Sequence, residues 1–304
     1  MAAPLVLRGR ARDFYTDASG AGVTVDEAAV EAGLDADRRL RSLTTSPSTT
    51  SSRELEGAVV GPGFRAALAR VTGQGTVARS PLYLLLDDLP VVALISGYAI
   101  MYRSGGRSVE GADGTSTENR SRLLKEDVCA GWRSDGTMMV SLRSGRGMPV
   151  SVGPPAPDLG DPNDPAGWHD LDEMEVPSMR RRRLVDVTWG DPLLVQAMFR
   201  DSHRADDGLE TVLHEYSVEA SVDPDTLTVL GCQATPRSLP WLECPEAALS
   251  AGRLAGQPVP GLRSFVRENL TGTTTCTHLN DLLRSLADVG ALVPILRGRS
   301  TGGP

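Results

Sequence analysis

Apolar and polar positions alternate every second residue over residues 211–222, which is the period of a strand with one buried face. Residues 223–226, Asp-Pro-Asp-Thr, then favour a type I turn, and residues 227–234 predict a partner strand. This stretch therefore predicts a β-hairpin with a row of side chains directed into the core. The row comprises Val212, His214, Tyr216, Val218, Ala220 and Val222.

A similar pattern occurs earlier in the chain. Residues 30–43 align with residues 218–231 at an offset of 188, and residues 62–71 align with residues 260–269 at an offset of 198. The additional residues of the second copy fall around residues 237–252, where a loop insertion is tolerated. Because the order is preserved, we interpret the chain as an internal duplication. The duplication predicts a hairpin at residues 30–43, although their Ala and Glu content alone favours a helix.

Three stretches show the period of an amphipathic helix. Between the copies, residues 91–103 predict a strand, and residues 126–144 predict a hairpin that turns at Ser-Asp-Gly. Residues 153–177 are rich in Pro, Gly and Asp and lack a period, which indicates a linker. The last helix is expected to end near Gly290. The helical stripes are Phe64, Ala67, Leu68 and Val71, then Leu262, Phe265, Val266 and Leu270, and finally Leu279, Leu282, Leu283 and Leu286.

These elements predict an α+β fold in which two related antiparallel sheet-plus-helix units form an internal pseudo-dimer. We assign a degenerate first copy to residues 1–103 and a hairpin with an acidic Pro/Gly-rich linker to residues 104–176. The second copy, which carries the candidate site, covers residues 177–296, and a tail covers residues 297–304. A homo-oligomer is compatible with this organisation.

Composition narrows the class of protein. The 304 residues are 40% hydrophobic and 23% charged, the balance of a globular protein, and the net charge of -8 disfavours nucleic acid or an anionic membrane as partner. No run approaches the ~18 to 20 apolar residues of a membrane helix, and the first residues lack a secretory pattern. Four scattered cysteines indicate reduced thiols rather than a disulfide scaffold. We therefore expect a cytoplasmic protein that acts on a small molecule.

The stretch TGTTTCTHLNDLL at residues 271–283 brings Cys276 and His278 to the start of an apolar helix. The positive end of the helix dipole favours a thiolate at this point. If both residues were regularly helical they would lie about 160° apart, whereas a helix that begins at Thr277 lets them converge. We predict catalytic roles for Cys276, His278 and His214. The alternative is a well-capped helix start with a small buried cysteine.

Other side chains extend this candidate site. Cys244, Cys276, His278 and His214 would supply four ligands for a zinc ion if strand, loop and helix start meet. We predict substrate contacts from Arg180, Arg181, Tyr216 and Asn280. The run of arginines at residues 180–183 suits a carboxylate or phosphate, and its alternative is a solvated basic segment.

A family resemblance covers residues 180–286. It is carried by the arginine run, by LHEYSVEASVD, by Cys244-Pro245, by GQPVPGLRSFVRENLTG and by CTHLNDLL. These segments resemble a bacterial family defined only as a domain of unknown function, numbered 2889, whose members carry a late Gly-Cys-Thr-His-Leu helix start. The resemblance implies that His214, Cys244, Cys276 and His278 are recurrent polar positions, and it brings no activity. Thr275 stands where the family has glycine, which would alter the start of the helix.

Together these observations predict a cytoplasmic small-molecule enzyme of hydrolase or lyase type that acts on an acyl or carbonyl compound. Cys276 would be nucleophile or ligand, and His278 base or ligand, with a zinc ion as the candidate cofactor. The alternative is a noncatalytic ligand-binding or assembly protein whose cysteines are buried or hold a structural metal.

Overall fold

The computed structural model describes residues 5–72, 80–103, 105, 126–162, 164–170 and 172–300. They fall into two compact units, of which the first contains the described residues up to Gly97 and the second those from Tyr98 onwards. Each unit has an antiparallel sheet with helices, which confirms the predicted α+β class. The pseudo-dimer and the boundaries predicted at residues 103, 176 and 296 stay predictions. Residues 106–125 of the predicted linker segment and 301–304 of the tail lie outside the described residues.

The first unit contains a three-stranded sheet in the order β1-β2-β3. The predicted hairpin at residues 30–43 is confirmed as β2 and β3, and the first predicted helix as α2. Its core includes Leu34, Leu40, Phe64 and Leu68, all of which are fully buried. The elements are β1 (Leu5–Thr16), β2 (Gly22–Leu34), β3 (Leu40–Ser46), α1 (Ser51–Glu54), α2 (Phe64–Thr72) and the beginning of α3 (Pro81–Arg103).

The strand predicted at residues 91–103 is wrong, because this segment continues the helix α3. Leu82, Leu86, Leu89 and Ala93 are buried at helical spacing, so burial of one face outweighs the β propensity of the valines and isoleucines. The helix is also long and apolar enough to cross a membrane, contrary to the sequence expectation. A core helix can have the same length and composition, and 39% of the most apolar 18-residue stretch of α3 is buried.

The second unit contains a four-stranded sheet in the order β4-β5-β6-β7. The predicted hairpin at residues 211–234 is confirmed as β6 and β7, and the two predicted helices as α5 and α6. The inserted segment forms a 3-10 helix, Cys244–Leu254. The remaining elements are β4 (Ser178–Thr188), β5 (Leu193–Arg204), β6 (Glu210–Val222), β7 (Val229–Ser238), α4 (Thr137–Arg143), α5 (Leu262–Asn269), α6 (Thr277–Ser285) and α7 (Val289–Ser300).

Two local predictions fail in this unit. Residues 126–144 form a 3-10 turn and α4 rather than a hairpin. The Glu243 carboxylate accepts hydrogen bonds from the N–H (2.7 Å) and the hydroxyl (2.8 Å) of Thr137, so a residue distant in sequence stabilises the start of α4. The last helix also does not end near Gly290, because α6 passes through a 3-10 turn into α7.

The hairpins of the two units close with the same backbone pattern. In each unit a glycine with positive φ, Gly57 (82°) or Gly256 (81°), follows the hairpin and bonds back to its last strand. The duplication stays a prediction, and this shared pattern supports it. The matching bonds are Gly57 N–H to Leu40 C=O and Leu40 N–H to Ala58 C=O in the first unit, and Gly256 N–H to Val229 C=O and Val229 N–H to Gln257 C=O in the second.

Candidate functional site

Strand register brings three polar side chains into one row across the second sheet. Arg181 on β4 pairs with Asp201 on β5, and Asp201 pairs with His214 on β6. Residues directly opposite each other project from the same face of a sheet. The next pair on that face, Phe199 on β5 and Tyr216 on β6, is buried. The polar row therefore lies at the margin of the core.

Arg181 and Asp201 form a buried two-point ion pair. Arg181 Nε lies 2.6 Å from Asp201 Oδ1, and Nη2 lies 2.7 Å from Oδ2. The side chains are 3% and 0% exposed, and the guanidinium also stacks over the Phe199 ring at 4.8 Å. Its third nitrogen lies 3.5 Å from Asp281 Oδ2. Removing one member of such a pair costs about 3–5 kcal/mol, because the other charge stays buried without compensation.

The start of α6 adds a second imidazole. The helix begins at Thr277, and Cys276 precedes it with extended backbone (φ -127°, ψ 126°). His278 in the first turn stacks on His214, with ring centroids 3.9 Å apart and 17° between the planes. His214 Nδ1 is buried, lies 3.7 Å from Asp201 Oδ2, and has no hydrogen-bond partner among the described residues. We call Arg181, Asp201, His214 and His278 the imidazole cluster.

Electrostatics keep both rings neutral. Burial lowers the pKa of His278 to about 3, and Arg181 adds to the effect. Burial also holds the pKa of His214 well below its ordinary value, with smaller contributions in the same direction from His278 and Arg181, against Asp201. Both imidazoles therefore present unprotonated nitrogen at neutral pH.

The imidazole cluster contains the atoms of a metal-binding group. One carboxylate oxygen of Asp201 and one nitrogen each of His214 and His278 all lie within 4.8 Å of one another. Over the described part of the chain, neither Cys244 nor Cys276 joins this group, so the four-ligand set predicted from the sequence is not assembled.

The sulfur atoms gather around Tyr216 instead. Burial raises the pKa of Cys276 to about 12, although the N–H groups of Leu279 and His278 oppose the rise. Burial likewise raises the pKa of Cys244 to about 12, with a further contribution from Cys276. The pKa of Tyr216 is raised by burial and by these two thiols. The thiols are thus protonated at neutral pH, and the sequence prediction of a thiolate at the helix start has no support from their surroundings.

The other predicted site residues do not converge on one point. Arg180 donates to the carbonyl oxygen of Asp172 at 2.6 Å, and Tyr216 donates its hydroxyl hydrogen to the carbonyl oxygen of Cys244 at 3.1 Å. Asn280 donates through Nδ2 to the carbonyl oxygen of Leu270 at 2.8 Å. Each therefore makes a local contact to backbone, and Arg181 alone of the four joins the imidazole cluster.

Sequence reasoning missed Asp201, which links Arg181 to His214. The sequence does contain a signal for this residue. The pair Arg200-Asp201 lies 188 residues after an identical pair, Arg12-Asp13, and 188 is the offset that relates the two predicted hairpins. Both aspartates directly precede a shift in strand register. The offset on which the predicted duplication rests therefore also relates a residue pair on β1 to one on β5.

Comparison with known families gives one match. Residues 179–291 match the family described as "Protein of unknown function (DUF2889)". This confirms the resemblance predicted from the sequence, and the matched segment contains the whole imidazole cluster; the helix-start motif is not tested by it. Neither the curated proteins nor the solved structures provide a match.

Proposed function

We propose that the protein is a cytoplasmic enzyme of small-molecule metabolism that carries out hydrolase or lyase chemistry on an acyl or carbonyl compound. Its reacting groups are His214 and His278 in the imidazole cluster, rather than Cys276. It acts without a nucleic-acid or membrane partner.

One observation carries the proposal, namely a stacked pair of neutral imidazoles against a buried carboxylate. A buried polar atom without a partner costs about 1–3 kcal/mol, so folding alone does not favour His214 at this position. The side chain of His214 is 18% exposed, so part of the ring reaches the protein surface although its Nδ1 is buried. Perturbed titratable groups at such a place are typical of functional sites.

The chemistry follows from the protonation state. An unprotonated imidazole nitrogen accepts a hydrogen bond from water or from a substrate hydroxyl and orients it towards an acyl carbon. Arg181 holds the Asp201 carboxylate in place through two hydrogen bonds, which fixes the charge beside His214. The buried thiols have no such role, because a thiol with a pKa of about 12 is almost entirely protonated at neutral pH.

Turnover of p-nitrophenyl esters and of acyl-coenzyme A thioesters tests the proposal. We expect kcat/KM to fall by ~100-fold or more in His278→Ala and in His214→Ala, the usual range for loss of an acid-base group. His169→Ala is the matched histidine control and should keep its rate, as should Cys276→Ser. Loss of turnover in Cys276→Ser alone would transfer the chemistry to the thiol, and a wild-type protein inert towards both substrate classes contradicts the proposal.

Three of the four cysteines, Cys129, Cys244 and Cys276, are buried, which favours a second candidate, a noncatalytic binding or assembly protein. On that alternative the imidazole cluster only stabilises the second sheet against α6. His278→Leu should then lower the midpoint of thermal unfolding, because it removes the stack on His214. In an enzyme the same substitution should leave the midpoint unchanged or raise it, because residues that serve activity are often not optimal for stability.

A further inference from the structure

We propose that Asp201, His214 and His278 bind one divalent transition-metal ion, with zinc as the expected ion, through one carboxylate oxygen and two imidazole nitrogens. The inference deepens the proposed function, since the ion would occupy that same site. It replaces the mixed thiolate and imidazole ligand set expected from the sequence.

Three candidate ligand side chains converge in the imidazole cluster. The three ligands come from β5, β6 and α6, yet their candidate atoms lie within 4.8 Å of one another. Bonds of about 2.0–2.2 Å to a single zinc ion hold ligand atoms about 3–3.5 Å apart, so ion binding must bring these atoms closer together and turn the rings. Three protein ligands leave at least one position open, as catalytic zinc sites require.

The Asp201 carboxylate can bind an ion while it is paired with Arg181. Each carboxylate oxygen has two lone pairs, so the bonds from Arg181 leave further acceptor positions on the carboxylate. Oδ2 is also the oxygen nearest to His214 Nδ1, at 3.7 Å. Arg181 would thus orient the ligand while Oδ2 faces the ion, a task that hydrogen-bonded partners commonly perform beside metal ligands.

His214 has a ring nitrogen that is available to an ion. Its Nδ1 is buried and has no hydrogen-bond donor or acceptor among the described residues, so no protein contact there competes with coordination. Neutral imidazole is the form that binds metals.

Coordination has a geometric consequence for the rings. A metal lies in the plane of an imidazole that binds it, and two nearly parallel rings 3.9 Å apart cannot direct both in-plane lone pairs at one point. Ion binding should therefore open the angle between the rings well beyond 17°.

The test uses the purified full-length chain after chelation, titrated with Zn²⁺ in equilibrium dialysis and with Co²⁺ by visible absorption. We expect one ion per chain, with affinity reduced at least ~100-fold in His214→Ala and in His278→Ala. Arg181→Lys should weaken binding by ~10-fold, the usual effect of loosening a group that orients a ligand. Cys276→Ser and Cys244→Ser are the matched controls and should bind like the wild type. Retained folding of the variants is checked by circular dichroism.

The possible results distinguish failure of the metal site from failure of the proposed function. Absence of a stoichiometric ion, or binding that survives His278→Ala but is lost in either cysteine variant, overturns the inference. Turnover of esters or thioesters that persists in excess chelator would likewise contradict the proposed metal site, while the proposed enzymatic function would still stand. Conversely, specific zinc binding without turnover supports the metal site and contradicts the proposed function.

Discussion

At the residue scale, Cys276 illustrates how burial and a helix terminus compete for one ionisable group. The N–H groups at the start of α6 favour the thiolate, whereas removal from water favours the thiol, and burial is the larger effect. The same residue type at the same position would be reactive if it were exposed.

This competition predicts slow thiol labelling in the native protein. With a pKa of about 12, on the order of 10⁻⁴ of Cys276 is ionised at pH 8, and Cys244 and Cys232 resemble it. Ellman's reagent should therefore react with the native chain far more slowly than with the guanidinium-unfolded chain, in which all four cysteines become available. A fast native reaction that disappears in Cys276→Ser would contradict this expectation.

The imidazole cluster could be predicted only in part. His214 and His278 follow from strand alternation and from their place beside a predicted helix start. Asp201 does not, because its role depends on the register of three strands, and a shift of one residue would move it to the other face. The two cysteines were grouped with the histidines because sequence spacing cannot show that the sulfurs lie around Tyr216.

At the element scale, the predictions that failed have physical causes. Residues 91–103 are the second half of a helix that begins at Pro81 and contains Pro90, so the helical period is visible only when the residues before 91 are included. The start of α4 depends on Glu243, which is 106 residues away in the chain, and no local pattern contains that contact. The hairpins and the amphipathic helices were predictable because their periods are local and their turns carry Asp-rich sequences.

The equivalent glycines of the two units offer an element-scale prediction. Gly57 and Gly256 have positive φ and open space around the position of an added Cβ, so substitution by alanine should cost only backbone strain. We expect Gly57→Ala and Gly256→Ala each to lower the free energy of unfolding by about 1 kcal/mol in urea titrations.

Gly298 provides the matched control for these substitutions. It lies in α7, has open space around it, and has no positive φ, so Gly298→Ala should be neutral or slightly stabilising. A cost at Gly57 but none at Gly256 would mean that the two hairpins are not equivalent.

At the scale of the whole molecule, the histidines couple folding to pH. Burial is the main cause of the lowered pKa values of His203, His214 and His278. For His203, Arg103 acts in the same direction, while Asp206 and Asp207 oppose it. The unfolded chain therefore binds more protons than the folded chain once the pH falls below the ordinary histidine value of about 6.5.

The lowered pKa values of the histidines determine how the free energy of unfolding changes with pH. Stability contributed by these neutral histidines is fully present above pH ~6.5 and is lost as the pH falls towards their folded-state values, at up to about 1.4 kcal/mol per pH unit for each. Aspartates with lowered pKa, such as Asp223, lose their contribution only at still lower pH, near their ordinary range of about 4.

Urea unfolding of the chelator-treated protein at pH 7.5, 6.0 and 5.0 should therefore show a steep fall in the free energy of unfolding below pH ~6.5. His203→Phe should reduce that slope, because it removes one of the three histidines whose pKa is lowered by burial. Equal stability at pH 7.5 and 5.0 would mean that the histidines take up protons in the folded protein, and the neutral imidazole pair on which the proposed site depends would then be absent.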